Sequence, residues 1–258
     1  MLRDWPKEVE ARVKWIQKII GKTKTNPGMG IVYGNSGGKD CTLAAILCRK
    51  ATENILGVIM PCQSSRNFGI DREHALLAAK QYGIPTVQLD LSDMKSLFTN
   101  LLTPVLSEMS LLEENLRKGQ MNVNPRLRMT TLYALAQAKN SLVCGTGNRS
   151  EITMGYFTKW GDGGCDFNPI ADLTATEIFD FLRFLGAPDV IIDKAPSAGL
   201  FEGQTDEEEM GILYAEIDEY LLHGTGDPEK IAKIQQALKF SAHKRKMPPT
   251  FGADVWEI

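Results

Sequence analysis

The stretch that decides the fold is Gly30-Ile31-Val32-Tyr33-Gly34-Asn35-Ser36-Gly37-Gly38-Lys39-Asp40. It begins with a short apolar run, and the glycines that follow mark a tight turn. Beyond this stretch, apolar residues recur at helical spacing: Leu43, Ala44, Ile46 and Leu47. The sequence here therefore predicts a strand, a glycine-rich loop and a helix in immediate succession.

The same alternation continues along the chain. Apolar runs at 55–60, 86–91 and 141–146 predict three more strands, and helical patterns at 94–106 and 126–139 lie between the last two. The last third shows helical patterns only. The expected fold class is α/β: a doubly wound, open parallel sheet of about five strands flanked by helices, with a helical C-terminal third.

Several helix starts can be predicted from capping patterns. Asp71 is the expected N-cap of the helix after the second strand. Thr174-Ala-Thr-Glu177 and Thr205-Asp-Glu-Glu208 fit the capping box, in which the first and fourth residues satisfy each other's backbone N–H groups. Asp227-Pro228 fits an N-cap followed by proline in the first helical position.

Length, charge and cysteine usage narrow the class of protein. The 258 residues carry a net charge of −3, which argues against a nucleic-acid binder that relies on a basic surface. The five cysteines form no CxxC pair and predict reduced thiols in a cytoplasmic protein. No signal peptide or apolar run long enough for a membrane span is visible. We expect residues 1–258 to form a single domain.

Residues 34–40 have the chemistry of a phosphate-binding loop. Glycines let the backbone approach a ligand closely, and the start of the following helix presents unpaired N–H groups to an anion. Ser36 adds a hydroxyl and Lys39 a cation. Because Asp40 would repel phosphate, its presence indicates a Mg²⁺ ion between the two. The alternative is a glycine-rich turn without a ligand.

The pattern Ser36-Gly-Gly-Lys-Asp40 differs from the Walker A loop and resembles the PP-loop of enzymes that cleave ATP between the α and β phosphates. The fourth predicted strand ends near Thr146 and Glu151. Ligands of open parallel sheets bind beyond the carboxyl ends of the strands, so both residues could face the same ATP. Asp40 and Glu151 could then share one Mg²⁺.

Arg126 and Arg128 lie two residues apart at the start of a predicted helix. Helical spacing predicts that their side chains point to different faces of that helix.

Further segments make the resemblance specific. They are residues 122–129, residues 145–166 with the core Gly155-Tyr-Phe-Thr-Lys-Trp-Gly-Asp-Gly-Gly164, residues 194–200 with Lys-Ala-Pro-Ser-Ala-Gly-Leu, and His243-Lys-Arg245. Together with the PP-loop they keep the order found in the ammonia-dependent NAD⁺ synthetase family, which the chain resembles over most of its length. Without the resemblance, the basic run at 243–246 would be interpreted as a solvated tail.

The resemblance implies an activity. In this family the carboxylate of nicotinic acid adenine dinucleotide (deamido-NAD⁺) attacks the α phosphate of ATP, and ammonia then displaces AMP to give NAD⁺. Asp40, Lys39 and Glu151 are the implied catalytic residues, and Asp40 and Glu151 the implied Mg²⁺ ligands. The implied ATP-binding residues are Gly34, Asn35, Ser36, Gly37, Gly38, Lys39, Asp40, Cys41, Thr146 and Ser197. The implied deamido-NAD⁺-binding residues are Arg126, Lys159, Asp166, His243 and Lys244.

Two departures from the family pattern concern ATP. Cys41 stands where the loop usually ends in serine or threonine, and a thiol is a weak donor. Ala175 stands where the family has an ATP-binding lysine. Lys39, at a position often uncharged in the family, is a candidate to compensate.

The resemblance also bears on assembly and nitrogen supply. Family members are homodimers, and the apolar segments 94–112 and 177–185 are candidate interface or core. The residues before the PP-loop are too few for a glutaminase domain, so free ammonia, or ammonia from a separate amidase, is the expected donor. The competing hypotheses are another PP-loop enzyme, such as a tRNA-modifying one, and a non-catalytic nucleotide-binding relative. We expect neither a nucleic acid nor a membrane as partner.

Overall fold

The computed structural model describes residues 3–63, 68–194 and 206–252. Within these ranges the strands are β1 (Gly30–Gly34), β2 (Ile55–Ile59), β3 (Thr86–Gln88) and β4 (Ser141–Cys144). The helices are α1 (Trp5–Ile19), α2 (Lys39–Ala51), α3 (Ile70–Tyr82), α4 (Ser92–Ser107), α5 (Glu113–Met121), α6 (Val123–Ala138), α7 (Arg149–Met154), α8 (Ala175–Phe184), α9 (Asp189–Ile192), α10 (Asp206–Met210), α11 (Tyr214–His223), α12 (Pro228–Phe240) and α13 (Ala242–Arg245).

The strands form one parallel sheet in the order β3-β2-β1-β4. β1 is central: Ile31 pairs with Ile55 on one side and with Leu142 on the other. The predicted α/β class and parallel sheet are confirmed, although the described ranges contain four strands where about five were expected. The third strand ends earlier than predicted, yet Leu89 N–H still donates to Ile59 O at 2.9 Å.

Both faces of the sheet are covered by helices. On one face Ile31 and Tyr33 pack in a core that includes residues of α1, α2 and α8. On the other face Val32 packs with Val58, Val143 and Ala136 of α6. Since a central strand is buried on both sides, its residues read as a continuous apolar run rather than an alternating one.

The helical C-terminal third, as far as residues 206–252 describe it, packs around a third cluster. This cluster contains Ala175 at the start of α8, Ile212, and the α11 residues Tyr214 and Ile217. Ile178, Phe181 and Leu182 are fully buried, so the 177–185 segment belongs largely to the core. In contrast, the 16 residues of α4 include none that is buried.

The capping predictions have mixed outcomes. Thr174 and Glu177 form the predicted capping box of α8, and Asp227 caps α12 with Pro228 in its first turn. The N-cap prediction for Asp71 is wrong, because α3 starts at Ile70 and places Asp71 inside the first turn. Thr205 lies outside the described residues. Within the described ranges, no helix combines the length and apolarity needed to cross a membrane.

Candidate active site

The glycine-rich loop joins β1 to α2 and is held against α3. Gly37 has a φ of +68°, and a Cβ atom there would lie 2.2 Å from the carbonyl oxygen of Asp71. The Asn35 side chain donates to Ala75 O at 3.1 Å. Glycine at position 37 is therefore required both by the left-handed backbone and by the close approach of α3.

The N-terminus of α2 faces the loop without a side-chain cap. Its N-cap, Gly38, has no side chain to offer, and Thr42 Oγ1 instead donates to Gly38 O at 2.7 Å. The first N–H groups of a helix have no partner within the helix, and the helix dipole favours negative charge there. This end of α2, with 13 residues behind it, suits an anion such as phosphate.

Lys39 supplies a buried cation at this end. Its Nζ atom lies 2.6 Å from Asp40 Oδ2 and 5.6 Å from the ring centroids of Phe179 and Tyr214. Burial alone would lower the pKa of Lys39, but the negative charges of Asp40 and Glu151 outweigh it and raise that pKa above its ordinary value. The side chain is thus a fixed positive charge.

Asn148 connects Asp40, in the first turn of α2, with Glu151, in the first turn of α7. The Asn148 side chain donates to Asp40 Oδ1 at 3.0 Å and caps α7, while Glu151 Oε2 accepts from the backbone N–H of Asn148 at 3.0 Å. Burial raises the pKa of Glu151 to about 8, and the nearby charge of Asp40 adds to the effect. Two carboxylates that repel each other in this way would both be stabilised by a bound cation.

The loop and these carboxylates line a cleft of about 800 Å³ at the carboxyl end of the sheet. The predicted ATP-site and catalytic residues that line it are Gly34, Asn35, Ser36, Gly38, Lys39, Asp40, Cys41, Thr146 and Glu151. The neighbouring positions of β1 and β4 bring the two groups together, as expected. Gly37 lies in the loop but outside the lining, and Ser197 lies outside the described residues.

The two arginines of α6 do point to different faces. Arg128 lines the cleft and donates to Met60 O at 3.1 Å. Burial lowers the pKa of Arg128, partly offset by Cys62, Asp162 and Asp71. Arg126 is exposed and lines a second, apolar cavity of about 460 Å³ between α4, α5 and α6. An expectation that both arginines face the cleft, or that both face away from it, would therefore have been wrong for one of them.

A group of cations lies around Lys244, which is also part of the cleft lining. Lys244 Nζ donates to the carbonyl oxygens of Gly155 and Phe157 at 2.8 Å each. Desolvation lowers the pKa of His243, and the charges of Lys159, Lys244 and Arg245 lower it further. Mutual repulsion among these side chains is the electrostatic sign of a site suited to an anion.

The remaining predicted dinucleotide residues are Arg126 and Asp166. Arg126 Nη2 donates to Lys159 O at 3.4 Å, which links α6 to the glycine-rich loop that follows α7. Asp166 accepts from the Tyr133 hydroxyl at 3.1 Å and from Val143 N–H at 2.7 Å. Asp166 is therefore held rigidly beside β4, although Arg126, Lys159, Asp166 and His243 do not line the main cleft.

The departures at Cys41 and Ala175 have a structural context. Cys41 Sγ lies 3.3 Å from Ser36 Oγ and 3.2 Å from Gly38 O. Ala175 is fully buried in the cluster that also contains Tyr214. The ammonium group of Lys39 lies beside that same Tyr214 ring.

Some residues of the cleft were missed by sequence reasoning. Asn148 could have been predicted from the sequence as a helix N-cap, because Asn148-x-x-Glu151 is a capping-box pattern. Asp71 and Lys194 form an ion pair of 2.6 Å within the cleft lining, but they are 123 positions apart in the sequence. Asp206 and Glu209 also line the cleft, although the sequence around them was interpreted only as the start of a helix.

Comparisons with known proteins agree with this geometry. The chain is 43% identical over 247 residues to the NH(3)-dependent NAD(+) synthetase of Carboxydothermus hydrogenoformans, covering 95% of this chain and 97% of the relative. Among solved structures, the NMN synthetase of Francisella tularensis superposes with a TM-score of 0.84 at 33% identity, covering 96% of this chain and 99% of that one.

The NH3-dependent NAD synthetase of Campylobacter jejuni superposes with a TM-score of 0.74 at 30% identity, covering 96% of this chain and 99% of that one. The sequence profile of the NAD synthase family matches residues 8–248. Because the match spans nearly the whole chain and both the fold and the cleft agree with it, the chain belongs to the NAD synthase family.

Proposed function

We propose that this protein catalyses the ATP-dependent amidation of deamido-NAD⁺ by ammonia, giving NAD⁺, AMP and pyrophosphate. The observation that carries the proposal is that one cleft is lined by residues of the PP-loop, by Thr146 and Glu151, and also by Lys244. Relatives that carry the name NH(3)-dependent NAD(+) synthetase match nearly the full chain at about 40% identity.

The residues suit an adenylation step. The free N–H groups of α2 and the Ser36 hydroxyl would hold the phosphates of ATP, and Lys39 would neutralise charge that develops on the leaving pyrophosphate. The substrate carboxylate attacks the α phosphate, which converts a poor leaving group into AMP. Ammonia then attacks the activated carbonyl carbon, AMP departs, and a proton is released. Catalysis of this kind is mainly positioning and charge stabilisation.

Asp40 and Glu151 are the proposed Mg²⁺ ligands. Carboxylate oxygens suit this ion, which is commonly held by one or two carboxylates together with substrate phosphates and waters. Within the described ranges, no group of three or more acidic, histidine or cysteine side chains could hold a metal by itself, which fits a site completed by ATP. Bound Mg²⁺ would supply electrostatic stabilisation of the phosphate oxygens.

Lys39 is proposed to take over the role of the lysine absent at position 175. Ala175 starts α8, and Phe179, one turn later on the same helix face, lies under the Lys39 ammonium at 5.6 Å. A cation that reaches this place from α2 would serve the same phosphate end of the cleft.

The basic group around Lys244 is proposed to bind the acceptor's phosphates. Burial lowers the pKa of both His243 and Lys244. Nearby cations lower it further, Lys159, Lys244 and Arg245 at His243 and Arg245 and Arg126 at Lys244, so a bound anion would stabilise this basic group. Arg126, on α6, and Asp166, beside β4, are proposed to orient the dinucleotide.

A second acceptor has a specific observation in its favour. The structural neighbour with a TM-score of 0.84 is named an NMN synthetase, so nicotinic acid mononucleotide is the competing substrate. Both acceptors present the same pyridine carboxylate and share the chemistry above. They differ in whether an adenylate group must also be bound.

The deciding experiment measures AMP and pyrophosphate release with each acceptor, with and without ammonium. A kcat/KM for amide formation that is well above the mononucleotide's with deamido-NAD⁺ supports the proposal. A kcat/KM that is well above deamido-NAD⁺'s with the mononucleotide supports the mononucleotide as substrate. ATP binding without turnover on any acceptor would favour a non-catalytic relative. Full turnover with glutamine alone would contradict ammonia as the nitrogen donor.

We also propose a homodimer formed through α4. Leu97 and Leu101 of this helix are 63% and 67% exposed, and Val105 is 50% exposed. The apolar cavity beside them is lined by α4, α5 and α6. Exposed apolar surface of this extent on one helix is typical of an interface, and a second copy of the chain is the occupant that the family resemblance favours. The five free cysteines support a reducing compartment, the cytoplasm.

A further inference from the structure

Asn148 is hydrogen-bonded to both residues proposed as metal ligands, Asp40 and Glu151. It lies between β4 and α7 and is fully buried. Its Nδ2 atom donates to Asp40 Oδ1 at 3.0 Å, and its Oδ1 atom accepts from Glu151 N–H at 3.0 Å. Its backbone N–H donates to Glu151 Oε2 at 3.0 Å.

These partners fix the orientation of the amide. Glu151 N–H can only donate, so it requires the amide oxygen, and a carboxylate oxygen of Asp40 requires the NH₂ group. Exchanging the two amide atoms would place donor against donor on one side and acceptor against acceptor on the other. The amide of asparagine therefore matches both partners at once, which a hydroxyl or a carboxylate could not do at the same reach.

The geometry holds Asp40 from two sides. Its Oδ2 atom accepts from Lys39 at 2.6 Å, and its Oδ1 atom accepts from Asn148. Two donors on different elements fix the plane of the carboxylate. Glu151 is held independently, since its side chain closes the capping box at the backbone of position 148.

We propose that Asn148 is a positioning residue that sets the spacing and orientation of Asp40 relative to Glu151 for Mg²⁺. This inference rests on the proposed metal site. Groups that orient metal ligands without touching the metal contribute strongly to affinity, because a ligand that is held in place loses less freedom when the ion binds. A helix cap alone would require only an acceptor at this position.

Asn148→Ser separates the two roles. Serine is an equally good N-cap and preserves the backbone N–H that holds Glu151, but its side chain is shorter and lacks the amide that reaches Asp40. Asn148→Ala removes the cap as well. Asp227→Ala removes the N-cap of α12, outside the cleft, and serves as a control for capping alone.

The measured quantity is the ATP dissociation constant in EDTA divided by the ATP dissociation constant in Mg²⁺. Both are measured by calorimetry without acceptor or ammonium, so that no turnover occurs. We expect Asn148→Ser to reduce this ratio by about tenfold. Asp227→Ala should lower Tm and leave the ratio unchanged. A Mg²⁺ titration of turnover should show a raised KM for Mg²⁺ in Asn148→Ser.

The outcomes distinguish this inference from the metal site itself. If Asp40→Asn leaves the ratio at the wild-type value, the metal site is wrong. If Asp40→Asn lowers the ratio but Asn148→Ser does not, Asn148 acts only as a helix cap and the inference is overturned. Should Asn148→Ser fail to fold, Asn148→Thr provides the same contrast, because threonine is also a favoured N-cap without an amide.

Discussion

Lys39 and Asp40 are neighbours in the sequence and form an ion pair of 2.6 Å at the first turn of α2, where 5% of the Lys39 side chain is exposed. A buried pair of this kind is costly to form unless each charge has further partners. Here Lys39 also faces Glu151, and Asp40 also accepts from Asn148. The pair therefore holds a cation and an anion in fixed places at the proposed phosphate site.

Replacing Lys39 by glutamine should reduce turnover. Loss of one charge that stabilises a developing anion costs roughly 10²-fold to 10³-fold in kcat in comparable sites. We expect the KM for ATP to rise as well, since Asp40 and Glu151 would then lack their cation. Steady-state kinetics with ATP varied tests this, with Lys39→Arg as the charge-preserving control. Unchanged kcat and KM in Lys39→Gln would refute the compensation for Ala175.

Asp40→Asn and Glu151→Gln should each abolish most Mg²⁺-dependent turnover. Each substitution keeps the size of the side chain and removes one proposed metal ligand. Turnover measured across a range of Mg²⁺ concentrations should show loss of activity that excess Mg²⁺ restores only in part. Wild-type rates in both variants would disprove the metal assignment.

The stability of the metal-free protein should depend on Glu151. Burial raises its pKa from 4.5 to about 8, so between these values the folded state binds the proton more tightly than the unfolded state. Stability from this group is therefore fully present below about pH 4.5, falls as pH rises, and levels off above about pH 8. Thermal unfolding in EDTA should show this fall in the wild type, reduced in Glu151→Gln. In contrast, stabilisation by Mg²⁺ and ATP should grow over the same range.

The proposed dimer should be sensitive to charge on α4. Leu101→Glu places a carboxylate where the interface would bury a leucine, and loss of one central contact commonly weakens association by about 30-fold. Light scattering during size exclusion should show a shift towards monomer. Val190→Glu, on the exposed side of α9, is the matched control and should leave the mass unchanged. A wild-type mass for Leu101→Glu at low micromolar concentration would rule out this surface.

Cys41→Ser should improve ATP binding. The thiol lies 3.3 Å from Ser36 Oγ, within reach of the loop, and a hydroxyl is a stronger donor than a thiol. A net gain of about 0.5–1.5 kcal/mol is typical for one hydrogen bond, which corresponds to roughly two- to tenfold in the KM for ATP. An unchanged or higher KM would show that the thiol does not limit phosphate binding.

The fold was predictable wherever local chemistry is unambiguous. The apolar run at β1, the glycines after it and the helical spacing after Asp40 all favour one local structure, and their agreement makes the strand-loop-helix unit readable. The extended segment at 86–91 is shorter as a strand than predicted. Its partner β2 ends at Ile59, so only Thr86–Gln88 complete the ladder.

Site residues were predictable where they follow the end of a strand. They were less predictable where their position depends on which face of a helix they occupy, or on contacts between residues that are far apart in the sequence. Thr146 and Glu151 follow β4, which had to lie beside β1 for the prediction to hold. Arg126 and Arg128 are about 200° apart around α6, and the sequence does not say which faces the cleft. The pairing of Lys194 with Asp71 depends on tertiary packing that has no local signal.

The first turn of α3 contacts both the phosphate loop and Lys194 of the cleft lining. The carbonyl oxygen of Asp71 packs against Gly37 of the phosphate loop, and the carboxylate of Asp71 holds Lys194. A shift of this turn would therefore disturb the loop and Lys194 together. The N-terminus of α3 therefore supports both the loop and Lys194. Substitutions in α3 should change the rate of nucleotide release even where the substituted residue does not contact ATP.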